Sequence, residues 1–294
     1  MMKLNNISKP LLGIAGQHQN GKSTFLNCLL GGHYAVEGDG LATTKYNAKY
    51  VFGDFFEIKA YSANQSVDVI KQFCFSAQET LCKQQNCSFF QISSYSPILQ
   101  TMDLLDSPGY GARGEDDTSA YKVADISDFI ILVVSKTLNE ECDIPFLTDL
   151  VKKNKHFSVI LNCMEKMDPR SKHVRNLCRE IHSQLYNANL DSNHVQLTEE
   201  YPVYPVNLLW AQCALGYLTP EETSEKLESV KFYSKMENLT SHALLHASNF
   251  LPIRGILENI VTTFFNFTPS HKLDLMKLVS DNWTNELKNI LEDS

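Results

Sequence analysis

The segment Gly16-Gln17-His18-Gln19-Asn20-Gly21-Lys22-Ser23 constrains this chain more than any other. It fits the pattern GxxxxGK[ST]. An apolar run from Leu11 to Gly16 precedes it, and Phe25, Leu26, Leu29 and Leu30 follow it at helical spacing. Strand, glycine loop and helix in that order build a phosphate cradle. Glycines let backbone N–H groups close around phosphate oxygens, and the helix N-terminus adds its dipole. Lys22 is expected to neutralise the terminal phosphates and Ser23 Oγ to ligate Mg²⁺. Gly16, Gln17, Gln19, Asn20, Gly21 and Thr24 complete the expected nucleotide-binding stretch.

Further β-like runs follow at 49–52, 56–61, 89–93, 101–105, 129–135, 157–161 and 203–207, with helical patterns between several of them. This alternation predicts an α/β fold, a P-loop domain with a mostly parallel sheet flanked by helices. Phe129 to Ser135 (FIILVVS) lacks polar alternation, as a central strand covered on both faces should. Val67, Ile70, Phe73, Cys74, Ala77 and Leu81 recur at helical spacing and predict an inserted helix within 63–88. Beyond Pro220 the pattern is helical over 221–246, 252–265 and 270–292. The expected division is a domain at 1–268 and an amphipathic C-terminal helix at 269–294.

With 294 residues and 43% hydrophobic content, the chain can bury one or two ordinary cores. Its net charge of -8 lacks the positive excess that non-specific nucleic-acid binding draws on, so no nucleic-acid partner is expected. The eight cysteines form no CxxC pair and the opening MMKLNNISKP has no apolar secretion signal. The longest apolar stretch, Phe129 to Val134, falls far short of the ~20 residues that span a bilayer. These features predict reduced thiols and a cytoplasmic location, with peripheral membrane association left open.

Two further segments suit a nucleotide with a terminal phosphate. Thr101-Met-Asp-Leu-Leu-Asp106-Ser-Pro-Gly109 reads as a strand ending in DxxG, where Asp106 would hold Mg²⁺ through water and the Gly109 N–H would sense the γ-phosphate. Gly38-Asp-Gly-Leu-Ala-Thr43-Thr44 is a small-residue loop after the first helix, suited to a switch in which Thr43 closes on Mg²⁺ and phosphate.

Taken together, GQHQNGKST, FLNCLLGG, GDGLATT and DSPG resemble the GTPase domain of the dynamin superfamily, bacterial dynamin-like proteins in particular. The resemblance covers roughly residues 9 to 265. It implies a Ras-like core, GTP as substrate and GDP as product, Mg²⁺ as cofactor, and hydrolysis that rises when two GTPase domains dimerise across the nucleotide. The guanine-reading element departs from the family's [NT]KxD. In Asn162-Cys-Met-Glu165-Lys166-Met-Asp168 two registers compete. In the preferred one, Lys166 packs its stem on the base and Asp168 accepts from guanine; in the other, Asn162 takes the strand-end place and Glu165 that of Asp. Asn207 and Leu208, after the last short strand, are the candidates for a backbone loop over the base.

Ras-type proteins orient water with a Gln directly after DxxG, whereas this chain has Tyr110 there. By the resemblance, His18 falls where dynamins place a polar P-loop residue beside the attacking water, and Arg113 is a candidate positive charge. The C-terminal segment at 269–294 carries Asp274, Asp281, Glu286, Glu292 and Asp293 against three lysines, a balance that favours a protein partner over anionic lipid. Two other functions fit the same motifs: a ribosome- or RNA-associated GTPase, and a nucleotide-binding interaction module with negligible turnover.

Overall fold

The computed structural model describes residues 9–35, 47–62, 67–70, 87–111, 116–164, 167–216, 240–253, 256–257 and 260. Its strands are β1 (Leu11–Ala15), β2 (Asn47–Phe52), β3 (Glu57–Ser62), β4 (Val67–Ile70), β5 (Cys87–Ser94), β6 (Asp103–Asp106), β7 (Phe129–Val134), β8 (His156–Asn162) and β9 (Tyr204–Val206). The helices are α1 (Lys22–Leu30), α2 (Asp116–Ile126), α3 (Asp143–Lys152), α4 (Lys172–Asn187), α5 (Leu208–Leu215) and α6 (Ser241–Ala247).

All of these strands join one sheet in the order β4-β3-β5-β2-β6-β1-β7-β8-β9. The half from β6 through β1, β7 and β8 to β9 is parallel throughout. On the other side β2 runs antiparallel to β6, and β3 antiparallel to both β4 and β5, while β2 and β5 are parallel. The expected α/β P-loop architecture is therefore present, with its antiparallel pairings confined to one half of the sheet.

The central strand β7 is buried along its whole length. Phe129, Ile131 and Val133 pack on the side of α1, α5 and α6, while Ile130, Leu132 and Val134 face α2, α3 and α4. Each such side chain contributes about 1.5–3 kcal/mol relative to exposure, which explains why this strand carries no polar alternation. Helix α4 follows from period 3.6: Ser171 caps its start by accepting from the Val174 N–H at 3.2 Å, and Val174, Cys178, Ile181 and Leu185 form its buried stripe.

Two expectations change. Val67–Ile70, read as the start of an inserted helix, is strand β4, antiparallel to β3 with Ile58 opposite Ile70. A β-branched V-D-V-I fits both periods over so short a length, and hydrogen bonding to the edge of β3 decides for extended chain. Residues 71–86 of that expected helix lie outside the described residues. Pro205 to Trp210, expected to end in a loop over the base, instead turns into α5 at Leu208. Asn207 is its cap, accepting from the Trp210 N–H at 3.1 Å. Of the helical C-terminal region, α6 is described, capped by Thr240. The helix at 270–292 and the boundary at 268–269 lie outside the described residues.

Candidate functional site: a phosphate cradle between two strands

The loop from Gly16 to Gly21 leaves β1 and enters α1 at the parallel edge, where β1 lies between β6 and β7. Gly21, the residue before α1, has φ of 90°, which favours glycine, and a Cβ there would overlap Asn162 Nδ2 and meet Leu208 Cδ1 at 3.4 Å. The loop is thus gripped by the ends of β8 and α5. Asn162 is the reason. Its Nδ2 donates 3.1 Å to the Asn20 carbonyl, and it is almost fully buried. Asn20 is held on its other side, donating 3.1 Å to the Val133 carbonyl and accepting 2.9 Å from Ser135 Oγ.

Lys22 is buried and donates 2.9 Å to the Gln17 carbonyl. Burial brings its ammonium down to about 8, although the Asp106 carboxylate nearby pulls it back up. Asp106, at the end of β6, is 1% exposed. Burial pushes its carboxyl up to about 7, against the opposing pull of Lys22 and the Ser107 amide. Asp106 Oδ1 is buried with no hydrogen-bond partner among the described residues. Neither group is fully satisfied by the protein, and a phosphate and a divalent cation would supply what each lacks.

Gly109 closes the cradle. A Cβ at this position would sit 2.7 Å from the His18 backbone nitrogen and 2.8 Å from Lys22 Nζ, so only glycine permits this approach. The next residue, Tyr110, forms a parallel bridge with Gln17. Ser23 and Thr24 open α1 half-buried, His18 is half-buried, and Gln19 is exposed with φ of 62°.

The structure therefore brings together Gly16, Gln17, His18, Asn20, Gly21, Lys22, Asp106, Gly109 and the side chain of Leu208. The Gln17 side-chain amide donates 2.9 Å to Asp143 Oδ2. One expected contact is redirected. Asn207 commits its backbone N–H to the Ser248 carbonyl at 2.9 Å, and its Nδ2 to the carbonyls of Met164 and Met167 at 2.9 and 3.2 Å. It braces the chain at Met164 and Met167, and its own backbone N–H is already bonded rather than open to a ligand.

On that loop, Asp168 is half-exposed, with Oδ1 accepting 2.8 Å from the Arg170 N–H. Lys166 and Glu165 lie outside the described residues, as do Thr43, Thr44 and Arg113. Asn27 and Asp143 belong to no sequence motif. The fully buried Asn27 side chain holds the Tyr34 and Ala35 backbone at 2.9 and 2.7 Å, fixing the chain just before the segment that carries Thr43. Among the described residues no group of three or more His, Cys, Asp or Glu side chains makes a metal site of its own, so a cation here would share phosphate oxygens with Asp106 and Ser23.

Residues 12–164 match the family model described as Dynamin family. The chain belongs to the dynamin family. This dynamin-family chain is also similar to two solved structures of an oligomerised bacterial dynamin pair, described as providing a mechanism for the long-range sensing and tethering of membranes. The first is 16% identical with a TM-score of 0.55, covering 91% of this chain and 52% of the other. The second is 16% identical with a TM-score of 0.51, covering 91% and 51%. The chain spans about half the length of each. At this identity the likeness is one of fold. No curated protein matches the chain. Among the described residues no helix is long and apolar enough to cross a membrane.

Proposed function

We propose that this dynamin-family domain binds GTP with Mg²⁺, hydrolyses it to GDP and phosphate, and self-associates when loaded. The observation that carries the reading is the buried Lys22 and Asp106 pair at the mouth of the P-loop, with Asp106 Oδ1 unpartnered and Gly109 packed against Lys22 Nζ. A buried ammonium and carboxyl left short of partners are costly unless a ligand completes them.

Backbone N–H groups from Gly16 to Gly21 and the start of α1 bind the phosphates, and Lys22 neutralises the terminal ones. Mg²⁺, held by Ser23 Oγ and Thr43 and through water by Asp106, would screen the charge on the transferring phosphoryl group. Gly109 offers its N–H to the γ-phosphate. With Gln17 committed to Asp143, His18 is the P-loop side chain proposed to orient water, and no strong base is needed because positioning and charge stabilisation dominate such transfers. Asp168 and Lys166 are proposed to read guanine from the loop that Asn207 braces, with Asn162 tying that loop's strand to the P-loop.

Self-association is supported by the similar structures being an oligomerised dynamin pair, and a protein partner is proposed for the C-terminal helix. The proposed location is cytoplasmic, a compartment in which buried thiols such as Cys163 and Cys178 stay reduced.

Calorimetric titration of the chain with non-hydrolysable GTP and ATP analogues plus Mg²⁺, read alongside light scattering, tests this. Guanine preference with a doubling of mass supports it. Adenine preference, or no binding, rejects it. Lys22→Ala is expected to abolish binding, and unchanged binding would remove the P-loop assignment.

A further inference from the structure

Behind the cradle lies a buried hydrogen-bond junction. Asp143, at the first turn of α3, is 1% exposed, and its two carboxyl oxygens accept from three separate segments. Oδ2 takes the Gln17 side-chain amide at 2.9 Å and the Asn139 N–H at 2.8 Å. Oδ1 takes the Tyr110 hydroxyl at 2.8 Å. The Tyr110 ring is itself buried, stacked on Phe146 with centroids 4.9 Å apart. Gln17 and Tyr110 also pair through their backbones.

From this we infer that Asp143 and Tyr110 are positioning residues which lock the Gly109 amide against the P-loop before nucleotide arrives, and so set how strongly the site prefers a triphosphate to a diphosphate. The inference rests on the nucleotide-binding reading given above. Tyr110 directly follows Gly109. With its ring in the core and its hydroxyl on Asp143, and with Gln17 held by the same carboxyl, the 109–110 backbone has its place fixed on two sides.

Gly109 lies one P-loop residue away, its Cα close to the His18 backbone and Lys22 Nζ. An amide already in place loses no conformational freedom when a phosphate reaches it, and that saving appears in affinity for the ligand that touches it. A γ-phosphate touches the Gly109 amide, whereas a diphosphate reaches only the P-loop. Removing the lock therefore weakens the triphosphate selectively. Tyr110, held inward, does not stand in for a water-orienting glutamine; its work is done through Gly109.

The test measures dissociation constants for GDP and for a non-hydrolysable GTP analogue, both with Mg²⁺, on the full chain, on Tyr110→Phe, on Asp143→Asn and on the double variant. Tyr110→Phe keeps the ring in its slot and removes one hydroxyl. It is expected to lower the triphosphate-to-diphosphate affinity ratio about tenfold, on the scale of one lost buried hydrogen bond, with GDP affinity nearly unchanged. The double variant should be no worse than Asp143→Asn alone, since both act through one junction. If Asp143→Asn fails to fold, Tyr110→Phe decides the matter alone. Equal losses for the two nucleotides, or a ratio that does not move while only the melting temperature falls, overturn this inference and leave the nucleotide site standing. Absence of binding by the unmutated chain overturns both.

Discussion

Gly109 lies so close to Lys22 that a Cβ on the glycine would stand 2.8 Å from the lysine ammonium. These residues come from opposite ends of the cradle, one after β6 and the other at the start of α1. Their approach is what makes a single pocket of two motifs separated by about eighty residues of sequence.

Gly109→Ala should therefore damage the site sharply. The added methyl meets the His18 backbone at 2.7 Å as well as Lys22 Nζ, and backbone yields less readily than a lysine head. We expect a destabilisation of about 1–3 kcal/mol, typical of overpacking, and a loss of triphosphate binding larger than the loss for diphosphate. Thermal melting and nucleotide titration check both. An alanine variant with native affinity for both nucleotides would show that this approach is not part of the phosphate site.

Asn162→Asp replaces the donor to the Asn20 carbonyl by an acceptor of the same shape. The buried carbonyl loses its partner and a carboxylate is placed against Gly21, so nucleotide affinity and stability should fall together, by about 1–3 kcal/mol in stability. Denaturant melts of the nucleotide-free protein provide the measurement, and an unchanged midpoint would deny Asn162 its role as the strut between β8 and the P-loop.

Guanine preference separates the two registers of the base loop. If Asp168 reads the base, Asp168→Asn narrows the gap between GTP and ATP analogues while Glu165→Gln leaves it. If Asn162 fills the strand-end place of the family motif, Glu165→Gln has the effect instead. Competition titrations with the two analogues distinguish these results.

The buried pair gives the nucleotide-free protein a pH signature. The Asp106 carboxyl sits at about 7 when folded against a reference of 3.8, so between those values the folded chain holds a proton that the unfolded chain has lost. Stability from this group is complete below about 4 and is lost as pH rises to about 7. Lys22 acts in the window from 10.5 to about 8, where stability falls as pH falls. The melting temperature should thus drop from pH 5 to pH 7.5, and Asp106→Asn should flatten that slope. An equally steep slope in the variant would assign the effect to other groups.

The sequence by itself determined the strand–loop–helix of residues 11–30, because GxxxxGKS is contiguous and glycine at Gly21, with its positive φ, sets the turn into α1 locally. It determined β7 as well, since FIILVV has only one place where every residue can be buried. Strand β4 was illegible, because four residues satisfy both periods and the edge of β3 chooses between them. Asn207 was read for its position after a strand, but its fate depended on Ser248 and on two loop carbonyls that only the fold brings near. Asp143 shows the limit most clearly. It stands 126 residues from Gln17 and 33 from Tyr110, in a helix start with no motif of its own. The parallel pairing of β1 with both β6 and β7 brings the loops that follow these three strands to one end of the sheet, and burial there makes the Asp143 carboxyl the common partner of Gln17 and Tyr110. Local sequence specifies the groups that bind; long-range packing decides which of them are free to do so.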